Sequence, residues 1–306
     1  MKNSVGCVAM AAMLGCGPAA VSAQETVLLE PSSNWHLDYG DNRCRLARQF
    51  GADDQRHALI MEMDQPSTHV NLIVAGPSID EKGDGEPYFV RFGDFEPIEF
   101  ETYSLGNMQP IGAAFAPGRV SLDPPDDESE DETEQPRRTP KEYTQSPDGF
   151  PKLAVDRYGD VGSLSVGQDG ASEVSFKVTG LSAALRSLNE CAENLVVFWG
   201  LDLDQHRTMQ QGPTVTNYSK IARGMMAEYP VEALRREEQG EIRFLVIVGA
   251  DGSVEECRQS DVTVTVSLKS PVCRIMQRAR FEPALDQGGN PMRSYYASQI
   301  RYQLPQ

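Results

Sequence analysis

The residues able to do chemistry in this 306-residue chain are six cysteines, four histidines and a large excess of carboxylates. Cys7 and Cys16 fall in the first two dozen residues, leaving Cys44, Cys191, Cys257 and Cys273 in the body of the chain. None of these has the CxxC spacing of a redox dithiol or zinc knuckle. Four cysteines in an exported chain predict two disulfides. Three connectivities are open; pairing within each half, Cys44–Cys191 and Cys257–Cys273, is the simplest. His36, His57, His69 and His206 lack HxH or HxxxH spacing, so they read as surface or satisfied core residues and no metal site is expected. No GxSxG elbow, phosphate loop or dinucleotide fingerprint occurs. The serines of VGSLSVG (161–167) read as turn chemistry, and DLDQH (202–206) as a solvated face. The expectation is a protein that is not an enzyme and uses no cofactor.

The charge balance points the same way. Twenty-eight basic residues against 45 acidic ones give a net charge of −17, which excludes nucleic acid as a partner. The excess is uneven: DPPDDESEDETE (Asp123–Glu134) carries a dense share of it, whereas Gly224 to the end is nearly neutral. Residues 123–148, with five prolines and little apolar content, are expected to be a disordered acidic insertion.

Residues 1–23 read as a signal peptide. Lys2 supplies a positive start, Val5–Gly15 a short apolar run, and Val21-Ser22-Ala23 a cleavage site between Ala23 and Gln24. Cleavage into the periplasm is the expectation; the alternative is an uncleaved segment that anchors the chain in the inner membrane.

The elements that must position these residues fall in two groups. Residues 24–204 are expected to be an N-terminal α+β domain. HALIMEMD and HVNLIVAG alternate like half-buried strands, PYFVRFGDFEPIEFETY breaks at Pro97, and EVSFKVTG alternates Val174, Phe176 and Val178. Leu181, Leu185, Leu188, Cys191, Ala192 and Leu195 then share one helix face. Residues 205–227 are polar and mixed, and read as a linker. In 228–306, Pro230 suits the first turn of a helix. Gly240 releases the chain into a strand with Ile242, Phe244, Val246 and Val248 on one face, and GADG (249–252) makes a hairpin turn. Ser270-Pro271 opens a second helix that Pro283 must end. A final strand places Tyr296, Ser298, Ile300, Tyr302 and Leu304 on one side. The fold class is therefore α+β, with two C-terminal helices on a small antiparallel sheet.

The order YP-x-x-AL, G-x-I-x-F-x-V-x-V, DG-x-V, R-A-R-F-x-PA, G-x-P turn and last strand resembles the C-terminal domain of the TonB family over Glu228–Pro305. A Cys257–Cys273 pair is also familiar in one branch of those domains. SDVTVTVSLKS (260–270) departs from the usual short polar loop, and the Pro-rich rod of a transducer is absent. The resemblance implies a periplasmic domain that grips a peptide of an outer-membrane receptor and serves energy-coupled transport. The alternative is a soluble periplasmic protein-binding or scaffold protein without transduction. In either case the grip would be strand addition to an open sheet edge. The expected contacts are Tyr229 and Pro230, which match the family's segment near the gripped peptide, and the outward set Tyr295, Ala297, Gln299 and Arg301. Another envelope protein is an equally suitable guest, and an open edge can also pair with its own copy.

Overall fold

A computed structural model describes residues 27–40, 42–79, 87–101, 103–122, 150–168, 173–228, 235, 240–262 and 270–302. The leader with Ala23 and Gln24, the acidic insertion, and Tyr229 and Pro230 lie outside the described residues.

Among the described residues, eleven strands come first: β1 (Val27–Leu29), β2 (His36–Gly40), β3 (Arg43–Phe50), β4 (His57–Met63), β5 (His69–Ala75), β6 (Tyr88–Phe92), β7 (Ile98–Phe100), β8 (Ser104–Met108), β9 (Gly112–Ser121), β10 (Ser163–Gln168) and β11 (Val174–Lys177). Helix α1 (Leu181–Phe198) follows. The strands form a six-stranded sheet in the order β2-β3-β4-β5-β9-β8 and a five-stranded sheet in the order β1-β11-β10-β6-β7. Leu59, Met61 and Met63 of the first sheet, Val174 and Phe176 of the second, and Leu185, Leu188 and Leu195 of α1 share one core. The Cys44–Cys191 disulfide links β3 to α1.

Two expectations need correction here. β4 and β5 are not half-buried: all seven residues of β4 and six of the seven of β5 are buried. Ile60 faces a second, smaller cluster with Ile73, Ala75 and Ala114, and Glu62 is covered by an arginine from the far end of the chain. VGSLSVG is not a turn either. Its β10 is an inner strand, because the Ser165 hydroxyl finds the Ser175 hydroxyl at 2.6 Å, which lets small polar residues sit inside a sheet.

The rest of the chain holds α2 (Leu203–Thr208), β12 (Thr214–Val215), α3 (Tyr218–Ala227), β13 (Gly240–Val248), β14 (Val254–Val262), α4 (Val272–Met276), β15 (Phe281–Glu282), β16 (Ala284–Leu285), β17 (Pro291–Met292) and β18 (Ser294–Tyr302). The fold is thus α+β throughout. The 205–227 segment, read as a linker, is structured: Ile221 and Met225 of α3 pack with Val272, Ile275 and Met276 of α4 on one face of the β14-β13-β18 sheet. The helix expected after Pro230 falls outside the described residues apart from Arg235, which is helical. α4 stops at Met276, well before Pro283. The Asn217 side chain donates to the Arg278 carbonyl and accepts from the Arg280 N–H, drawing that stretch out so that β15 pairs with β12. The Cys257–Cys273 bridge joins β14 to α4 across a separation of 16 residues.

The GADG turn has one irreplaceable position. Gly252 lies at φ +77, and a Cβ there would stand 2.1 Å from the Phe281 carbonyl oxygen. The Gly252 carbonyl in turn accepts from the Phe281 N–H at 3.1 Å. Gly252→Ala is expected to lose about 1–3 kcal/mol through this combined backbone strain and clash. Urea unfolding monitored by circular dichroism measures it; an unchanged midpoint would contradict the assigned turn.

Candidate functional site: the margin of the C-terminal sheet

β13 is the central strand, with β14 on one side and β18 on the other. All nine residues of β18 pair with β13, from Val248↔Ser294 to Gly240↔Tyr302. Among the described residues, no strand pairs with the other side of β18. Its entry is set by the turn the sequence marks as GGNP. The Asp286 carboxylate accepts from the Gly288 and Asn290 N–H groups, each at 2.8 Å, which fixes the loop between β16 and β17. Those hydrogen bonds, chiefly from Asn290, hold its carboxyl below the usual range.

The period of two sends alternate side chains to opposite faces. Tyr296 and Ile300 join the helical side, where Tyr296 meets Phe281 at 5.3 Å between ring centroids. Burial pushes the Tyr296 phenol up, partly offset by its hydrogen bond with Ser298.

The odd-numbered face was expected to be available to a partner, and its inner half is not. Tyr295 and Ala297 are buried, together with Leu245 and Ile247 of β13, in the same core as the two sheets of the first domain. The Tyr295 ring lies 5.0 Å from Trp199 at the end of α1 and is stacked 5.8 Å from His206 of α2. Gln299, beyond this contact, is exposed, and Arg301 lies in β18 with its side chain outside the described set.

Polar groups line the same contact. His206 is fully buried; its Nδ1 faces the Asp202 carbonyl at 2.6 Å and its Nε2 the Ser294 hydroxyl at 3.0 Å. A histidine beside a serine is the pairing of a hydrolase base and nucleophile. Here Ser294 is also fully buried, and Asp202 reaches the ring through its backbone carbonyl, so the pair ties α2 to the start of β18 with the hydroxyl closed off from solvent. Farther along, the Arg243 guanidinium donates to Glu62 at 3.2 Å and to Glu241 at 3.3 Å, with side-chain exposures of 4%, 1% and 6%. Arg45 donates to the other oxygen of Glu62 at 2.7 Å. Nearby, desolvation pushes the Asp64 carboxyl up, against the weaker pull of Arg243 and Arg119. Arg293 completes the seam, donating to the Gly200 carbonyl and to Glu255.

Sequence reasoning missed this contact, although β13 signals it. Phe244-Leu245-Val246-Ile247-Val248 is an unbroken apolar run, the mark of a strand covered on both faces.

The fold and its margin define a class: a short antiparallel sheet backed by helices, with the terminal strand left at the edge. Residues 226–304 match the family model described as Gram-negative bacterial TonB protein C-terminal, so the last quarter of the chain is a TonB C-terminal domain. No curated protein and no solved structure matches the chain. Among the described residues, no helix is long and apolar enough to cross a membrane.

Proposed function

We propose that this chain binds an extended segment of an outer-membrane receptor by adding it to the free side of β18, in support of energy-coupled transport. The activity is binding and not catalysis. The observation that carries the reading is the position of β18, paired along its whole length with β13 and at the margin of its sheet. A guest strand would satisfy its outward backbone groups, each net hydrogen bond contributing about 1 kcal/mol, while alternate side chains set register. Gln299 and Arg301 would supply side-chain contacts, with Tyr229 and Pro230 flanking the guest. Tyr295 and Ala297 would contribute main chain only, since their side chains are committed to the first domain.

A proline scan tests this. In an edge strand only alternate residues aim their N–H outward, and proline is tolerated at those positions. Ser298→Pro and Gln299→Pro therefore sample both parities. The variant that keeps its melting temperature is expected to lose capture of synthetic outer-membrane receptor segments by about tenfold or more. Undiminished capture by that variant would refute strand addition at β18.

A second reading follows from the clasp between the domains. A TonB-type sheet locked to a disulfide-bonded domain, in place of a long spacer, suits a soluble periplasmic protein that binds another envelope protein without transducing energy. The N-terminus separates the readings. A mature start at Gln24 by mass spectrometry supports the second, whereas an intact Met1 in the membrane fraction supports the first. A dimer through paired β18 edges would appear as a doubled mass that guest peptide reverses.

A further inference from the structure

Resting on the assignment of β18 as the guest-receiving strand, we propose that the end of α1 and the short helix α2 form a built-in holder of that strand, gripping it through Trp199 and His206, and that protonation of His206 loosens the grip. The contacts are all at the start of β18: Ser294 on the His206 ring nitrogen at 3.0 Å, and Tyr295 between the His206 and Trp199 rings. Among the described residues no disulfide crosses the seam: Cys44–Cys191 joins β3 to α1 and Cys257–Cys273 joins β14 to α4. The seam is also incompletely satisfied among the described residues, where the buried indole N–H of Trp199 has no hydrogen-bond partner. An interface holding buried charges, a neutral imidazole and an unpaired donor gains less from closure than an apolar one of the same size.

Around His206, its own helix and cap bring Asp202, Asp204 and Arg207; α1 brings Glu193, bound to Arg207 at 2.6 Å; the β18 side brings Arg293. Burial pushes the His206 imidazole below its ordinary value, and the Asp202 carbonyl and carboxylate oppose this by less. The folded value is thus depressed relative to about 6.5 in the unfolded chain. The contribution of His206 to closure is complete above about pH 6.5 and is lost as pH falls through the folded value. His57 and His69 are pushed the same way by burial, but they lie in the first domain and their effect falls on β4 and β5.

The test needs no guest peptide, so it can fail while strand addition stands, or succeed while strand addition fails. The chain has two tryptophans, so Trp35→Phe leaves Trp199 as the only reporter. As pH falls from 7.5 to 5, the full-length protein is expected to show a red shift of Trp199 emission. Amide exchange in β18, corrected for intrinsic rates, should accelerate by about tenfold or more while β4 and β5 stay protected. His206→Gln should abolish the step in both signals. Should that variant fail to fold, an NMR titration of the His206 ring in the parent chain must share its midpoint with the β18 amides. Emission and exchange constant over this range would overturn the proposal. So would a step that persists in His206→Gln, a His206 midpoint that differs from that of β18, or simultaneous loss of protection in β4 and β5.

Discussion

Replacing Cys44 and Cys191 together with alanine is expected to remove about 5 kcal/mol of stability. The bridge closes a loop over a sequence separation of 147 residues, and chain entropy in the unfolded state grows with the logarithm of that length. The Cys257–Cys273 bridge, across 16 residues, is expected to contribute about 3 kcal/mol by the same rule. The two losses differ in where they act. Without Cys44–Cys191, α1 loses its tie to β3, and the end of α1 carries Trp199, so the holder of β18 loosens with it. Without Cys257–Cys273, only the packing of β14 against α4 is affected. Guanidinium unfolding of each alanine pair against the parent measures both effects. A smaller loss for Cys44/Cys191 than for Cys257/Cys273 would show that the unfolded chain is already compact across the long loop.

The second large effect lies in the buried ion cluster. Glu62 accepts from Arg243 at 3.2 Å and from Arg45 at 2.7 Å, with almost no solvent access to Glu62 or Arg243. Glu62→Ala removes one of the two carboxylates to which Arg243 donates, leaving Glu241 bonded to it and Asp64 nearby, and a cost of about 3–5 kcal/mol is expected. Arg243→Met is expected to cost less, because Glu62 keeps Arg45, although the Asp64 carboxyl also loses a neighbouring cation. The double variant Glu62→Leu with Arg243→Met should regain much of the loss, since a desolvated pair and a well-packed apolar pair differ little in stability. Urea melts of the parent, Glu62→Leu, Arg243→Met and the double variant give the coupling energy directly. Additive single losses would show that the pair does not interact across the seam.

The contrast between these sites explains how much could be read from residue order. Both disulfides were the simplest pairing of four cysteines, and α1 was plain from Leu181, Leu185, Leu188, Cys191, Ala192 and Leu195, all of them buried. β13 and its GADG turn were equally plain, because alternation and a glycine-bearing turn are local features. The failures were non-local. β10 was invisible because Ser165 becomes an interior residue only when Ser175 arrives beside it. α3 hid in a polar stretch since only Ile221 and Met225 mark its buried side. Tyr295 and Ala297 read as outward residues because period two distinguishes two faces without saying which is covered.

Residue order by itself determined the hairpin of β13 and β14 and the final strand of the C-terminal region, its likeness to the TonB C-terminal domain and the simplest pairing of its cysteines. These depend on spacing within a few residues, or on a choice among few thiols. Tertiary structure alone decided that one face of the last sheet is covered by residues from earlier in the chain, while among the described residues no strand pairs with the margin of β18. Burial is a property of two surfaces, and nothing local to β18 encodes the arrival of Trp199, His206 and Glu62 from elsewhere in the chain.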